Sequence, residues 1–321
     1  MEWEKVFNNN ISFEERALEV FRFQAVENKT YSNYLNLIGC NIQEVNSIKK
    51  IPFLPIELYK TQKIYCGEEP HEVVFSSSGT TGMVQSKHYV KNLKVYEKAF
   101  ERGFEKFYGK AEECNIYALL PNYLEREGSS LIYMFEKLIE KSADGGFYLY
   151  EHEELAKRIK NRDKSRKTIL IGVTFALLDI AEKGAIEKDE TLCVMETGGM
   201  KGRGEELPRE VIHEKLCSAF GVKSIHSEYG MCECLSQSYS LGEGLFETSD
   251  TMKILVRDIH DPFDISDKEG RGGINIIDLA NVYSCSFIET QDMGKKFDNG
   301  TFTIDGRISN SDIRGCNLLV L

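Results

Sequence analysis

The stretch between Asn115 and His226 limits what this chain can fold into more than any other. Strand-like runs at 115–120, 147–150, 168–173, 191–195 and 222–226 take turns with helix-like runs at 129–141, 153–160, 174–182 and 208–220. Such alternation predicts βαβ units, which bury a parallel sheet between helices. Ligands on sheets of this kind collect beyond the carboxyl ends of the strands, so the residues that follow each run carry the interest. After about residue 242 the pattern changes to short apolar runs with turns, as in an antiparallel β subdomain, with a turn at 267–273 and a strand at 274–279. The expected fold class is α/β, with parallel sheets covered by helices plus a smaller antiparallel β subdomain.

Around this centre the chain reads as an ordinary globular protein. Its 321 residues suit one large domain or two of usual size. The net charge of −11 argues against a general nucleic-acid surface. Met1-Glu2-Trp3-Glu4-Lys5 lacks the basic start and apolar core of a signal peptide, and no apolar run is long enough for a membrane span. The nine cysteines are odd in number, and of them Cys232 and Cys234 alone lie close together, which fits free thiols in a reducing cytoplasm. Ser12-Phe13-Glu14-Glu15 has the form of a capping box, and Ala17, Leu18, Phe21 and Ala25 follow at helical spacing. Residues 30–50 form a second helical stretch. Ile51-Pro52-Phe53-Leu54-Pro55 is extended, because each proline pushes its predecessor out of helix, and it either lines an acyl pocket or packs in the core. The seven Lys and Arg residues from Lys157 to Lys167 read as a solvated helix end and loop rather than a docking patch.

One stretch fits neither helix nor strand. Ser76-Ser77-Ser78-Gly79-Thr80-Thr81-Gly82 follows the apolar run Val73-Val74-Phe75. It is too polar for a buried strand and too rich in Gly and Thr for a stable helix. Glycines let backbone N–H groups turn toward an anion, and hydroxyls add donors, so the stretch suits phosphate binding. It is not a P-loop, because Met83 stands where that motif has lysine. Nor is it a hydrolase nucleophile elbow, since Ser76 takes the place of that motif's first glycine. Lys87 and His88 lie close enough in sequence to reach the same ligand, although an exposed lysine is also commonly just solvated.

Four further segments stand where a site is expected. Glu196-Thr197-Gly198-Gly199 follows a strand, and its glycines either let a flat base approach the backbone or form a plain turn. In His226-Ser227-Glu228-Tyr229-Gly230-Met231-Cys232-Glu233 an aromatic ring can stack on adenine, and a carboxylate can hold Mg²⁺, which needs oxygen ligands. Cys232 and Cys234 are spaced too closely for a Cys-x-x-Cys zinc site. In Glu289-Thr290-Gln291-Asp292-Met293-Gly294, Asp292 suits the two hydroxyls of a ribose, or a simple turn. In the last segment Arg307 can meet ribose or phosphate. Cys316, after Arg314-Gly315, is either a buried apolar residue or a nucleophile on a terminal tail.

Taken in this order, the segments resemble the acyl-adenylate-forming superfamily of acyl-CoA synthetases and luciferases. Ser77 to Gly82 resembles its phosphate loop. Tyr229-Gly230-Met231-Cys232-Glu233 resembles Tyr-Gly-x-Thr-Glu, with Cys232 where threonine is usual. Thr290-Gln291-Asp292 resembles Thr-Gly-Asp, with Gln291 for glycine, and Gly306-Arg307 with Arg314-Gly315 resembles the hinge. Within the superfamily the chain is most similar to the acyl-protein synthetase (LuxE-type) family, on Ile51 to Pro55 with Lys60, the serine-rich loop and Cys316. The resemblance implies that ATP and Mg²⁺ activate a carboxylic acid, a fatty acid in that family, as acyl-AMP. The acyl group then passes to Cys316 and onward to a partner reductase or acyltransferase. Ser77, Ser78, Gly79, Thr80, Thr81 and Gly82 would hold phosphates. Gly198, Gly199 and Tyr229 would receive adenine, with Glu228 and Gly230 also at the nucleotide, Asp292 would take the ribose, Arg307 ribose or phosphate, and Glu233 the metal.

The same resemblance sets an expected layout. An adenylate-forming domain spans 1–305, with a helical segment over about 1–50 and the β subdomain over about 242–305, and a hinge-like tail spans 306–321. The C-terminal mobile domain of the superfamily, with its catalytic lysine, is expected to be lacking. Lys87, His88 and Arg307 are then the candidates to offset charge on the α-phosphate. Two alternatives remain at this stage: a shortened ligase for an external thiol such as CoA or a carrier protein, and a catalytically silent nucleotide- or acyl-binding protein.

Overall fold

The computed structural model describes residues 1–77, 84–121, 128–198 and 208–308. The expectations placed on Ser78 to Gly82, Gly199 and Cys316 lie outside the described residues. Strands come in three groups along the chain. First are β1 (Leu54–Pro55), β2 (Val73–Ser76) and β3 (Lys87–Val90). Then follow β4 (Cys114–Leu119), β5 (Asp144–Phe147), β6 (Lys167–Val173), β7 (Leu192–Thr197), β8 (His226–Tyr229) and β9 (Ser238–Ser240). Last come β10 (Phe246–Thr248), β11 (Met252–Arg257), β12 (Ile265–Ser266), β13 (Gly270–Asp278), β14 (Phe287–Lys296) and β15 (Phe302–Arg307). The helices are α1 (Phe13–Glu27), α2 (Lys29–Leu37), α3 (Leu58–Thr61), α4 (Leu93–Tyr108), α5 (Ser130–Lys141), α6 (His152–Asn161), α7 (Thr174–Glu182) and α8 (Arg209–Phe220). The chain divides into two units. One combines residues 1–96 and 232–236 with the chain from 247 onward, and the other combines 97–231 with 237–246.

The second unit carries the predicted parallel sheet. Its order is β9-β8-β7-β6-β4-β5, parallel throughout except that β9 runs against β8. All of β4 and all of β6 but Lys167 are buried, as strands covered on both faces must be. Boundaries differ from the sequence reading in a consistent way. Strand β7 runs on through Thr197, and His226 to Tyr229 form β8 rather than following a strand. Polar residues here are strand residues because their side chains find partners within the sheet. Strand β5 ends at Phe147 instead of starting there. Helix α4 has no counterpart in the sequence reading, although Val95, Tyr96, Ala99, Phe100 and Phe104 are all buried at helical spacing. Most of the basic run is paired with acids of this unit: Arg158 with Asp144, Lys160 with Glu187, Arg162 and Lys164 with Asp189, and Arg166 with Asp163.

In the first unit β12, β11, β13, β14 and β15 form an antiparallel sheet, and β1 adds to β14 in parallel. Helix α1 starts on the predicted capping box, in which Ser12 accepts from the Glu15 N–H and Glu15 accepts from the Ser12 N–H. It lays Phe21 edge-on against Phe287 of β14 and sends the Gln24 amide to the carbonyls of Asn281 and Val282. The 51–55 segment joins this core. Ile51, Phe53 and Leu54 are fully buried, Phe53 meets Phe287, and the Tyr31 hydroxyl donates to the Pro52 carbonyl at 2.6 Å. Of the two readings of this segment, the structure takes packing. Residues 289–294, expected as an irregular turn, lie inside the long strand β14, where a bulge replaces the turn.

Candidate functional site

The hydroxyl loop leaves the antiparallel pair β2–β3, in which Ser76 faces Lys87. Its two ends are clasped just beyond the pair. The Ser77 N–H donates to the Ser86 carbonyl at 3.1 Å, and the Ser86 N–H donates to Ser77 Oγ at 3.0 Å. Phe75, buried against Tyr96, anchors the strand beneath. Lys87 is exposed at the base of the loop, with its ammonium on a long four-carbon stem.

Ser86 also acts on the carboxylate singled out for the metal, Glu233, which is 6% exposed. Burial pushes the Glu233 carboxyl above the usual range, while Ser86 and the charges of Arg307 and Lys60 pull it back part of the way. The segment that carries it, 232–236, is held from three sides. The Asn281 amide donates to the Glu233 carbonyl at 2.7 Å. Asp278, fully buried, accepts from the N–H groups of Leu235 and Ser236 at 2.7 and 2.9 Å, from the Ser236 hydroxyl at 2.6 Å and from the Ala280 N–H at 3.0 Å. The third support is His88.

His88 does not sit where a ligand-contacting group would. It is buried, with Nδ1 2.9 Å from the Cys232 carbonyl and Nε2 2.9 Å from Ser284 Oγ, and its ring stands edge-on to Tyr59. A carbonyl only accepts, so Nδ1 carries the proton and Nε2 accepts from the Ser284 hydroxyl. Burial drives its pKa down to about 4, so the ring is neutral near pH 7. Both nitrogens are spent on the scaffold, which makes His88 a support for the Glu233 segment rather than a charge at the phosphates.

Asp292 and Arg307 face each other across β14 and β15, with Arg307 Nε 3.5 Å from Asp292 Oδ1. The Asp292 side chain is 13% exposed and that of Arg307 76%. The acid is thus fixed near the surface while the guanidinium lies in solvent. The charge of Arg307 also acts on Glu233, so Glu233, Asp292 and Arg307 form one connected group in this unit.

In the second unit Gly198 ends β7 in the left-handed region, at φ 75°. Next to it, the Thr197 hydroxyl donates to Glu228 Oε2 at 2.6 Å. Glycine at 230 leaves room for the same carboxylate, since a Cβ there would lie 2.4 Å from Glu228 Oε1. The Tyr229 ring is half-buried and tilted against Phe246, with centroids 5.8 Å apart. On the opposite face of β7, Glu196 accepts from Thr174 and Ser227 at 2.9 and 2.8 Å, with His213 Nε2 at 3.6 Å and Arg209 Nε at 4.0 Å. Burial raises its pKa, but these partners outweigh burial and hold the carboxyl below its usual range.

Sequence reasoning passed over Ser86, Asp278, Asn281, Ser284 and Glu196. A signal existed for two of them: Asp278 and Asn281 interrupt the apolar run Ile276-Ile277-Asp278-Leu279-Ala280-Asn281, and a polar group inside such a run must be buried and bonded. Among the described residues no group of three or more His, Cys, Asp or Glu side chains is arranged to hold a metal. A single buried carboxylate with a raised pKa suits Mg²⁺, which takes one or two protein carboxylates and draws its remaining ligands from water and phosphate oxygens.

No protein-family model and no curated protein matches the chain. Solved structures do. ATP-bound MatB from Rhodopseudomonas palustris superposes with a TM-score of 0.56 at 14% identity, over 75% of this chain and 49% of MatB. An open conformation of 2-hydroxyisobutyryl-CoA ligase, in complex with 2-HIB-AMP and CoA, gives 0.65 at 12% identity, over 93% of this chain and 69% of that one. O-succinylbenzoate coenzyme A synthetase (MenE) from Bacillus subtilis, in complex with AMP, gives 0.50 at 16%, over 74% and 49%. The chain spans about half the length of MatB and MenE. Among the described residues no helix is long and apolar enough to cross a membrane. At these identities the likeness is one of fold, and this chain has the α/β fold of those ligand-bound structures.

Proposed function

We propose that the chain is the adenylating part of an ATP-dependent acid–thiol ligase. A carboxylate oxygen of the acid attacks the α-phosphorus of ATP, the bond to the β-phosphate bridging oxygen breaks, and acyl-AMP and pyrophosphate result. The Cys316 thiolate then attacks the acyl carbon, AMP leaves, and the thioester passes to a partner reductase or acyltransferase. A fatty acid is the proposed substrate, and the cytoplasm the proposed compartment. The observation that carries the reading is the bond from His88, on the strand that follows the phosphate-type loop, to the Cys232 carbonyl, because it ties the base of that loop to the segment of a metal-type carboxylate, Glu233, within a fold shared with ATP- and AMP-bound structures.

In this reading Glu233 would hold Mg²⁺, which when bound would offset the negative charge of the phosphates. Ser77, Ser78, Gly79, Thr80, Thr81 and Gly82 bind the phosphates, and Lys87 and Arg307 follow the charge as it moves toward pyrophosphate. Gly198, Gly199, Glu228, Tyr229 and Gly230 receive adenine, and Asp292 the ribose. His88 belongs to the support of Glu233. A second reading, with CoA as the acceptor in place of Cys316, is favoured by the likeness to the CoA-bound 2-hydroxyisobutyryl-CoA ligase.

Intact-protein mass spectrometry with ATP, Mg²⁺ and a panel of carboxylic acids separates these. A mass gain of one acyl group that hydroxylamine removes, and that is lost in Cys316→Ser, supports self-acylation. Pyrophosphate release without an adduct, rising with CoA, replaces it by the external-thiol reading. No pyrophosphate with any acid overturns both.

A further inference from the structure

Asp292 is aimed by a bulge. The β13–β14 register runs Gly273 to Met293 and resumes at Asn275 to Glu289. One residue of β13, Ile274, therefore lies opposite three of β14: Thr290, Gln291 and Asp292. Such a bulge bends its strand and leaves main-chain groups without ladder partners. Two local bonds recover part of the loss: the Thr290 hydroxyl donates to the Ile274 carbonyl at 2.7 Å, and the Asp292 N–H donates to Thr290 Oγ1 at 3.1 Å.

The Ile308 N–H donates to the Gln291 carbonyl at 2.7 Å, and Arg257 reaches across from β11 to carbonyls on both strands. Its Nη2 donates to the Thr290 carbonyl at 2.7 Å, and its Nη1 donates to the Ile274 carbonyl at 3.1 Å and to Asn275 Oδ1 at 2.9 Å. Nε lies 3.6 Å from Glu289 Oε1. One guanidinium thus bonds both sides of the bulge, from inside the sheet, where Arg257 is 5% exposed. The sequence makes room for it. A Cβ at residue 273 would stand 2.5 Å from Arg257 Cζ and 2.6 Å from Nη1, so glycine there admits the guanidinium. A lysine could not span these acceptors, having a point charge where the site needs a planar fork.

We propose that Arg257 is the positioning residue for Asp292: it sets the bulge that presents the aspartate to the nucleotide ribose. This rests on the ribose assignment made for Asp292 above. Arg257 itself touches no substrate, so its effect must pass through Asp292.

The test is ATP affinity by titration calorimetry on the full chain with Mg²⁺, in a double-mutant cycle of Arg257→Lys and Asp292→Ala. Asp292→Ala alone reads the ribose assignment, with a loss of about tenfold or more expected from a hydrogen bond to a charged group. Arg257→Lys should weaken ATP by a similar factor in the native background and by less than about twofold in the Asp292→Ala background. Equal losses in both backgrounds, or no loss in the native one, overturn the positioning role and leave the ribose assignment standing. Unchanged affinity in Asp292→Ala overturns that assignment and the proposal with it. Gly273→Ala displaces the guanidinium while keeping its charge, and should reproduce the Arg257→Lys pattern. It serves as the test if Arg257→Lys does not fold, and an additive loss there is equally fatal.

Discussion

The neutral ring of His88 gives the fold a particular acid sensitivity. Its pKa falls from about 6.5 in an unfolded chain to about 4 in the structure. Between these values the unfolded state binds the proton and the folded state does not. Stability from this residue is therefore full above pH 6.5, declines as pH falls, and is exhausted below pH 4. The shift amounts to about 3 kcal/mol in all, of which about 2 kcal/mol is lost between pH 7.5 and pH 5. Replacing His88 with Asn keeps a donor for the Cys232 carbonyl but takes the partner from Ser284, at a cost of roughly 1–3 kcal/mol at pH 7.5. The variant does not titrate, so its deficit should shrink by about 2 kcal/mol at pH 5. Urea unfolding followed by Trp3 fluorescence measures this, since Trp3 is the single tryptophan and belongs to the same unit as His88. Other acid-titrating groups are common to both proteins and cancel in the difference. A deficit that stays constant from pH 7.5 to pH 5 refutes the buried, neutral ring.

Other expectations follow from the same geometry. Glu233→Gln should abolish pyrophosphate release without lowering the melting temperature, because an uncharged amide relieves the desolvation of a buried carboxylate; calorimetry and a pyrophosphate assay read the two together. Gly230→Ala should weaken ATP binding and cost about 1–3 kcal/mol, since the added methyl collides with the Glu228 carboxylate; denaturant unfolding and titration calorimetry check it. Asp278→Asn should be among the most destabilising isosteric changes in the chain, at about 3 kcal/mol or more in urea unfolding, because the new amide points its own donors at N–H groups that now find an acceptor. Ser12→Ala should cost about 1 kcal/mol through the lost cap, with no change in any nucleotide-binding measurement.

What could be read from the sequence was what local pattern determines. Buried strands such as β4 and β6 are largely apolar runs, and the capping box of α1 is four residues long, so both were visible. The segments of the candidate site were visible as clusters of Gly, hydroxyl and carboxylate residues, but their secondary structure was not. Glu228 looks like a loop residue because nothing nearby in sequence satisfies it, whereas its partner Thr197 is thirty-one positions away on the neighbouring strand. His88 shows the same limit. A histidine after a phosphate-type loop looks like a catalytic group until Cys232 and Ser284 come to both of its nitrogens from 144 and 196 positions along the chain. The bulge at Thr290 depends on Arg257 and Gly273, which are not marked by any motif.

These long-range contacts divide the labour within the first unit. The carboxylates are fixed: Glu233 by a segment bonded to His88, Asn281 and Asp278, and Asp292 by a bulge that Arg257 fills. The cations Lys87 and Arg307 are exposed on long stems. Under the proposed assignment, a carboxylate that meets a hard cation or a ribose at one point gains from being immobile, since no reorganisation is then needed when the ligand arrives, and a cation that follows charge along a departing pyrophosphate gains from reach. The raised pKa of Glu233 is the mark of this arrangement, because a carboxylate kept from water is destabilising by itself and is relieved by a bound cation. Mg²⁺ with ATP should therefore stabilise the native chain more than ATP alone, and that excess should vanish in Glu233→Gln.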